Sequence, residues 1–225
     1  MKKITVAVDG PAGSGKSSVS RQVAAMLGIT YIDSGAIYRA ITWFFLEKYG
    51  DIDSETPFGN GIKGLDIRQE YYSDRTTKTF VNGLDVSQLI RSEEVVKSIQ
   101  WVSSNKAVRD FVTTLLREWA GEKSIIMDGR DIGSVVFPNA DLKIYLDASV
   151  ETRAKRRYDE YVATGKNVDL KAIKKQIIQR DSQDTAREFG ALKRCEDAVF
   201  VDTSDMTQDQ VVNKLTELIE NQDSV

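Results

Sequence analysis

A phosphate-binding loop near the start of the chain constrains the fold more than any other feature. It matches G-x-x-x-x-G-K-[ST] at every fixed position and follows an apolar run over residues 4–8. Such a loop joins a strand to a helix, and its glycines let backbone N–H groups approach a polyphosphate. Lys16 supplies a charge for the outer phosphates, and the Ser17 hydroxyl is placed to bind Mg²⁺. The pattern predicts an α/β fold that binds a nucleoside triphosphate. The loop consists of Gly10, Pro11, Ala12, Gly13, Ser14, Gly15, Lys16 and Ser17.

The composition excludes several kinds of chemistry. No histidine occurs among the 225 residues, so His-based triads, His–metal sites and imidazole acid–base catalysis are ruled out. The single cysteine, Cys195, allows neither an internal disulfide nor a cysteine-rich metal site, which suits a reducing cytoplasm. A net charge of −3 gives no general attraction to nucleic acid or anionic lipid. We therefore expect one cytoplasmic domain over residues 1–225, without a membrane or nucleic-acid partner.

Strand-like and helical segments alternate along the chain, which predicts a mostly parallel sheet flanked by helices. The predicted strands are residues 3–8, 30–33, 124–127, 142–146 and 198–201. The predicted helices are residues 17–27, 34–49, 92–120, 149–164 and 169–188, with a closing helix from residue 207. Gly28 is expected to end the first helix, Ser34 to cap the second, and Thr207 with Gln210 to form a capping box on the last.

Residues 51–91 interrupt this alternation. Glycines cluster there beside short alternating apolar runs, and Asn82-Gly83 is a signal for a two-residue hairpin turn. The segment keeps apolar residues of its own, so it predicts a small antiparallel insert rather than a linker.

Three arginines, Arg153, Arg156 and Arg157, share one face of a predicted helix at spacing i, i+3, i+4. A solvated charged face explains most patterns of this kind, and nearby acidic residues neutralise part of the charge. Beside a triphosphate site, the repulsion among three guanidinium groups favours a mobile arginine lid, residues 153–166, over the transferring phosphates.

Two further clusters are ambiguous from spacing alone. Arg180, Asp184 and Arg187 recur at i, i+4, i+7, which fits either a surface ion pair or an arginine for phosphate with an aspartate for a sugar hydroxyl. Tyr38 and Arg39 lie near the start of the second helix, behind a strand end. Taken alone, they suit a half-buried core tyrosine and a surface arginine.

The sequence Asp128-Gly129-Arg130-Asp131 follows a predicted buried strand. Open α/β sheets bind ligands at this edge. A charged surface turn is the alternative, but three charges in four residues at that place favour a ligand. Asp128 could hold a water on Mg²⁺.

Two large classes of P-loop protein do not fit. A GTPase needs Asn/Thr-Lys-x-Asp to read guanine, and neither Asn105-Lys106 nor Asn213-Lys214 is followed by that aspartate. Motor and AAA-type ATPases need a hydrolytic glutamate after the second acidic strand, and Asp128-Gly129 lacks one. A small-molecule kinase remains.

Four segments together resemble bacterial cytidylate (CMP) kinases: GPAGSGKSS at 10–18, DSGAIYR at 33–39, DGRDIG at 128–133 with VVFP at 135–138, and RAKRR at 153–157. The resemblance covers essentially the whole chain. It implies a P-loop NTPase-type parallel five-stranded sheet flanked by helices, with a small antiparallel substrate-binding insert and a helical arginine lid. It also implies transfer of the γ-phosphoryl of ATP to CMP or dCMP, with Mg²⁺ bound by Ser17 and, through water, by Asp128.

The resemblance further implies roles for individual residues. Ser18 joins the donor-binding loop, and Ser34 the acceptor side. The catalytic set is Lys16, Asp128, Arg130, Arg153 and Arg157. The acceptor phosphate is assigned to Tyr38, Arg39, Arg130 and Arg187, the sugar to Arg180 and Asp184, and the cytosine edge to Arg109 and Asp131.

One position departs from the family. Where a serine often lies near the base, an ungapped count from Arg109 gives Gln100, whose amide is longer but can donate and accept. A kinase for another nucleoside monophosphate or small metabolite, or a catalytically weak ATP-binding regulator, remains the alternative. We expect a monomer.

Overall fold

Five parallel strands form the centre of the fold, in the order β2-β6-β1-β7-β8. A computed structural model describes residues 3–72 and 76–224. Its strands are β1 (Thr5–Asp9), β2 (Thr30–Asp33), β3 (Ile67–Tyr71), β4 (Thr77–Val81), β5 (Leu84–Asp85), β6 (Ile125–Gly129), β7 (Leu142–Asp147) and β8 (Val199–Asp202). The predicted parallel five-stranded sheet is confirmed, and β1 lies at its middle, so the phosphate-binding loop leaves from the centre of the carboxyl edge.

Helices cover both faces of this sheet. They are α1 (Lys16–Leu27), α2 (Ser34–Tyr49), α3 (Phe58–Gly61), α4 (Glu93–Ser104), α5 (Lys106–Ala120), α6 (Val150–Ala163), α7 (Leu170–Thr185) and α8 (Gln208–Glu220). Gly28 ends α1 in the left-handed region, with φ +66°. The capping box of Thr207 and Gln210 begins α8.

Two predictions about helix boundaries are wrong. The segment predicted as one helix over 92–120 is divided at Asn105, which leaves the helical conformation and whose side chain accepts from the Val108 N–H at 3.2 Å. The N-cap of α2 is Asp33 rather than Ser34, because the Asp33 carboxylate accepts from the Ala36 N–H at 2.8 Å. The Ser34 hydroxyl instead donates to the Asp128 carbonyl oxygen at 2.7 Å.

Two apolar clusters hold the layers together. One includes Val8 and Ile126 of the sheet with Val23 of α1 and Leu215 of α8. The other contains Ile37 of α2, residues from α4 and α5, and apolar residues of the insert. Burial of this kind contributes roughly 25 cal/mol per Å² of apolar surface. Because the insert shares the second cluster, it is packed into the body of the protein.

The insert contains the small antiparallel sheet that the sequence predicts, in the order β3-β4-β5. Asn82 and Gly83 join β4 to β5 with φ of +49° and +83°, as a type I′ hairpin turn requires. Across the part of the chain that the structure describes, no helix combines the length and apolar character needed to cross a bilayer.

Candidate active site

The phosphate-binding loop is built where β1 ends and α1 begins. Gly13 and Gly15 have φ of +78° and +91°, which L side chains rarely adopt. A Cβ at Gly10 would overlap the carbonyl oxygen of Leu146 on the neighbouring strand β7. These glycines let the backbone curl tightly between the strand and the helix, so that the N-terminus of α1 faces the cleft.

Lys16 lies inside this curl. Its ammonium group donates to the Pro11 carbonyl oxygen at 2.7 Å and to the Ser14 hydroxyl at 3.2 Å, and the residue is 5% exposed. Burial, followed by the nearby charge of Arg130, lowers the pKa of Lys16 well below its ordinary value. An anion bound in the loop would favour the charged form of this lysine.

The Asp128 carboxylate accepts hydrogen bonds from hydroxyl groups on two other elements, α1 and β2. The Ser17 hydroxyl donates to its Oδ2 at 2.7 Å, and the Tyr31 hydroxyl donates to its Oδ1 at 2.6 Å. Burial and the nearby Asp33 raise the pKa of Asp128. The oxygen atoms of Ser17 and Asp128 are hard ligands of the kind that Mg²⁺ prefers. Sequence reasoning missed Tyr31, although it is a polar aromatic residue inside a buried strand.

Several arginines in the cleft surround one aspartate. Asp184 accepts from Arg130 Nε at 2.7 Å and pairs with Arg187 Nη2 at 2.5 Å. Burial alone would raise the Asp184 pKa, but these arginines lower it. The Asp184 carboxylate is therefore shared between Arg130 and Arg187, which lies three residues further along the chain.

Arg180 differs from its neighbours because, within the described residues, no carboxylate lies within ion-pair distance of its guanidinium. Burial, followed by the charge of Arg130, lowers the pKa of Arg180 to about 9. A half-buried cation beside other cations is suited to bind an anion.

A buried ion pair lies at the far end of the cleft. Arg109 binds the Asp131 carboxylate through Nη2 and donates from Nη1 to the Ser103 carbonyl oxygen at 2.8 Å. Its guanidinium carbon lies 5.4 Å from the centre of the Tyr38 ring. The pair therefore offers fixed donors and acceptors in a desolvated setting.

Gln100 does not line this cavity. Its side-chain oxygen accepts from Gln183 Nε2 at 2.9 Å, whereas Ile99 and Ser103, one helical turn apart on α4, line the wall. Counting nine residues back from Arg109 missed this because the count crosses Asn105, where α4 ends and α5 begins.

The three arginines on α6 are divided between two environments. Arg153 is 4% exposed and lies behind the loop, where Nη1 donates to the Ala12 carbonyl oxygen at 2.9 Å and to Asp181 at 2.6 Å. Arg156 and Arg157 line the cleft. Arg156 donates to the Thr203 carbonyl oxygen at 2.6 Å, and Arg157 lies over the ring of Tyr161.

An amide side chain of the insert hydrogen-bonds to the residue that caps α2. Gln69 of β3 accepts from the Asp33 N–H at 3.2 Å and donates to the Asp33 carbonyl oxygen at 2.8 Å. The Asp33 carboxylate caps α2 and accepts from Arg39 at 3.3 Å. The Tyr71 hydroxyl donates to Gln69, and its ring meets that of Tyr31 edge-on at 5.9 Å. Gln69 was not foreseen from the sequence.

Lys16, Asp128, Arg180, Asp184 and the Arg109–Asp131 pair line one cleft of about 910 Å³, whereas Tyr31, Gln69, Tyr71, Gln100 and Arg153 do not line it. Ten cationic and six acidic side chains line it, although the whole chain carries a net charge of −3. Arg21 and Arg91 are lining residues that sequence reasoning missed. A P loop at the carboxyl edge of a parallel sheet, opening into a cationic cleft, defines a P-loop protein that acts on phosphorylated ligands.

Comparison with solved structures supports the fold. A Thermus thermophilus protein has a TM-score of 0.50 at 12% identity, with 99% of this chain and 98% of its own covered. An uncharacterized protein from Eubacterium ventriosum has a TM-score of 0.50 at 15% identity, with both chains covered completely. At such low identity the similarity concerns the fold alone.

Comparison of sequences identifies the family. The model for cytidylate kinase matches residues 6–221. A cytidylate kinase of Exiguobacterium sibiricum is 43% identical over 220 residues, 98% of each chain. One of Listeria innocua is 44% identical over 219 residues, 97% of each chain. The chain belongs to the cytidylate kinase family, which confirms the resemblance drawn from its motifs.

Proposed function

We propose that this chain transfers the γ-phosphoryl group of ATP to CMP or dCMP, giving CDP or dCDP and ADP. One observation carries the proposal: the P loop and the buried Arg109–Asp131 pair open into the same cleft. Family membership supports the reaction class, and the Arg109–Asp131 pair supports cytosine as the base of the acceptor.

ATP is assigned to the loop, residues 10–18, with Lys16 on the phosphates that transfer. The Arg156 guanidinium, held by Thr203, is suited to support the adenine ring, because a planar cation stacks on aromatic faces. Ser17 and Asp128 fit Mg²⁺ as oxygen ligands. When bound, Mg²⁺ neutralises charge on the phosphate oxygens.

The acceptor phosphate is assigned to Tyr38, Arg39, Arg130 and Arg187, and the sugar to Arg180 and Asp184. Asp131 accepts from the exocyclic amine of cytosine, and Arg109 donates to N3 or O2. Uracil presents a carbonyl and a protonated N3 there, so the buried ions would face groups of the wrong polarity.

Phosphoryl transfer needs little covalent help from the protein, and no histidine is required. The arginines align the acceptor oxygen and neutralise developing charge. Closure of the predicted lid, residues 153–166, which includes most of α6, keeps water from the transferring group. We assign the protein to the cytoplasm, as a monomer.

A coupled ADP-release assay with ATP and each of CMP, dCMP, UMP and AMP tests this function. We expect CMP and dCMP to support turnover well above UMP and AMP. Equal use of UMP would overturn the base-reading assignment and leave a kinase. ATP binding without acceptor-dependent ADP release would overturn the reaction itself.

A further inference from the structure

Gly190 lies against the guanidinium of Arg109, so a side chain at this position would force that group to move. It lies in the segment after α7, with φ +64°. A Cβ at this position would overlap three atoms of Arg109: Nη2, Cζ and Nε. Any side chain at residue 190 therefore displaces the guanidinium.

The remaining contacts of Arg109 leave little room for it to move. The Tyr38 ring lies against the guanidinium, Nη2 binds Asp131, and Nη1 donates to the Ser103 carbonyl oxygen. With the Gly190 backbone added, each neighbour restricts the position of the group. Displacement breaks at least one of these contacts, because interiors are packed too densely to absorb an extra methyl group freely.

The backbone around Gly190 is itself anchored. The Ala186 N–H donates to the Ser182 carbonyl oxygen at 2.9 Å, and the Leu192 N–H donates to the Asp184 carbonyl oxygen at 2.8 Å. The segment between these bonds is tied to the end of α7, which also carries Arg180 and Asp184. The glycine cannot retreat without disturbing that helix end.

We propose that Gly190 is a positioning residue that determines base specificity by leaving the space in which Arg109 is held against Asp131. The proposal rests on the proposed function, in which Arg109 and Asp131 read the base. Gly190 does not line the cleft, so in this proposal it acts through Arg109, which does. A small displacement of this kind is enough to impair a site that depends on alignment.

The test compares Gly190→Ala with Gly28→Ala. Gly28 has nearly the same φ, +66°, but a Cβ there meets nothing within 4 Å, so this variant reproduces the backbone strain without the overlap. In Gly190→Ala we expect kcat/KM for CMP to fall about thirtyfold, mainly through KM, and the CMP-to-UMP ratio to fall about tenfold. The KM for ATP should stay within about twofold, as should every constant of Gly28→Ala.

A double variant separates positioning from general disruption. In the Arg109→Ala background, adding Gly190→Ala should change the CMP-to-UMP ratio less than about twofold, since the residues are coupled. If Gly190→Ala alone does not fold, adding it to Arg109→Ala should lower the melting temperature no more than adding Gly28→Ala does, because the overlap is gone. A larger drop in that background, or a Gly190→Ala enzyme that keeps the normal ratio, overturns the proposal. A wild-type protein without preference for CMP over UMP overturns instead the base-reading assignment in the proposed function, on which this proposal rests.

Discussion

Arg109 and Asp131 are both buried, so each is costly to leave without the other. Removing one member of such a pair typically destabilises a protein by about 3–5 kcal/mol, because the remaining charge has no partner. The same pair is the proposed reader of cytosine. Stability and base selectivity are therefore linked through a single contact.

In the Asp131→Ala variant we expect kcat/KM for CMP to fall about a hundredfold, while that for UMP changes little, since cytosine has an exocyclic amine to donate to this carboxylate and uracil does not. The free energy of unfolding should fall by about 3 kcal/mol. Acceptor kinetics and denaturant unfolding measure the two effects. Asp110→Ala is the matched control, because Asp110 is exposed on α5 and its carboxylate forms an ion pair with Lys106 across one helical turn; it should change stability by less than about 0.5 kcal/mol. Equal losses for CMP and UMP would contradict the prediction.

The effect of replacing Lys16 is also expected to follow from its location, which is inside the P loop. In Lys16→Ala, kcat should fall at least about a hundredfold, roughly 3 kcal/mol, because a fixed charge on the transferring phosphates is lost. ADP release measures the rate, and circular dichroism should show an intact fold. Lys143→Ala removes another buried lysine, which pairs with Asp197 outside the cleft, and should keep near-normal turnover. Normal turnover in Lys16→Ala would refute the assignment of the loop.

Helix α6 places its arginines on two sides of the P loop, so substitutions along one helix should have different kinetic effects. Arg157→Ala should lower kcat far more than it raises KM for CMP, because the charge it meets is largest in the transition state. Arg153→Ala should raise KM for ATP and lower the melting temperature, since Ala12 loses its donor and Asp181 its partner. Steady-state kinetics in both substrates and thermal denaturation distinguish the variants. The same profile for both would mean that the helix acts as one uniform charged face.

The elements with the clearest local signals were predictable from the sequence. The P loop, the five strands and the Thr207 capping box depend on patterns within a few residues. The Asn82-Gly83 turn was also readable, since both residues need positive φ.

What could not be predicted depends on contacts between distant segments. The N-cap of α2 is Asp33 and not the predicted Ser34. The Ser34 hydroxyl instead donates to the carbonyl oxygen of Asp128, 94 positions along the chain. The spacing of Arg153 predicted which face of the helix it occupies. It could not predict that this side chain is buried against the P loop. The surroundings of Gln100 could not be found by counting from Arg109, because the helix ends at Asn105 between the two residues.

Across the whole molecule, Asp9 gives stability an unusual dependence on pH. Burial raises its pKa from 3.8 to about 6, despite hydrogen bonds from the Gly133 and Ile132 N–H groups. The folded protein therefore binds more protons than the unfolded chain between about pH 4 and 6. Asp9 favours folding most below about pH 4, and this contribution is lost as the pH rises through about 6.

Replacing Asp9 with Asn should remove this dependence. Relative to wild type, the free energy of unfolding of Asp9→Asn should rise by up to about 3 kcal/mol between pH 4 and pH 7, and the difference should be constant above pH 7. Denaturant unfolding of both proteins at each pH gives the comparison. A difference that stays constant from pH 4 to pH 7 would show that Asp9 titrates alike in the folded and unfolded states.

The hydrogen bonds between Gln69 and Asp33 also affect how the protein behaves among its own copies. Strand β2 is an outer strand of the main sheet, and the free backbone groups of such a strand can pair with another chain. At Asp33 the backbone N–H and carbonyl oxygen are both hydrogen-bonded to the Gln69 side-chain amide, as they would be to the backbone of an adjacent strand. Deletion of the insert would expose this edge of β2. We therefore expect a shortened chain to aggregate by strand pairing at β2 and also to bind the proposed acceptor poorly.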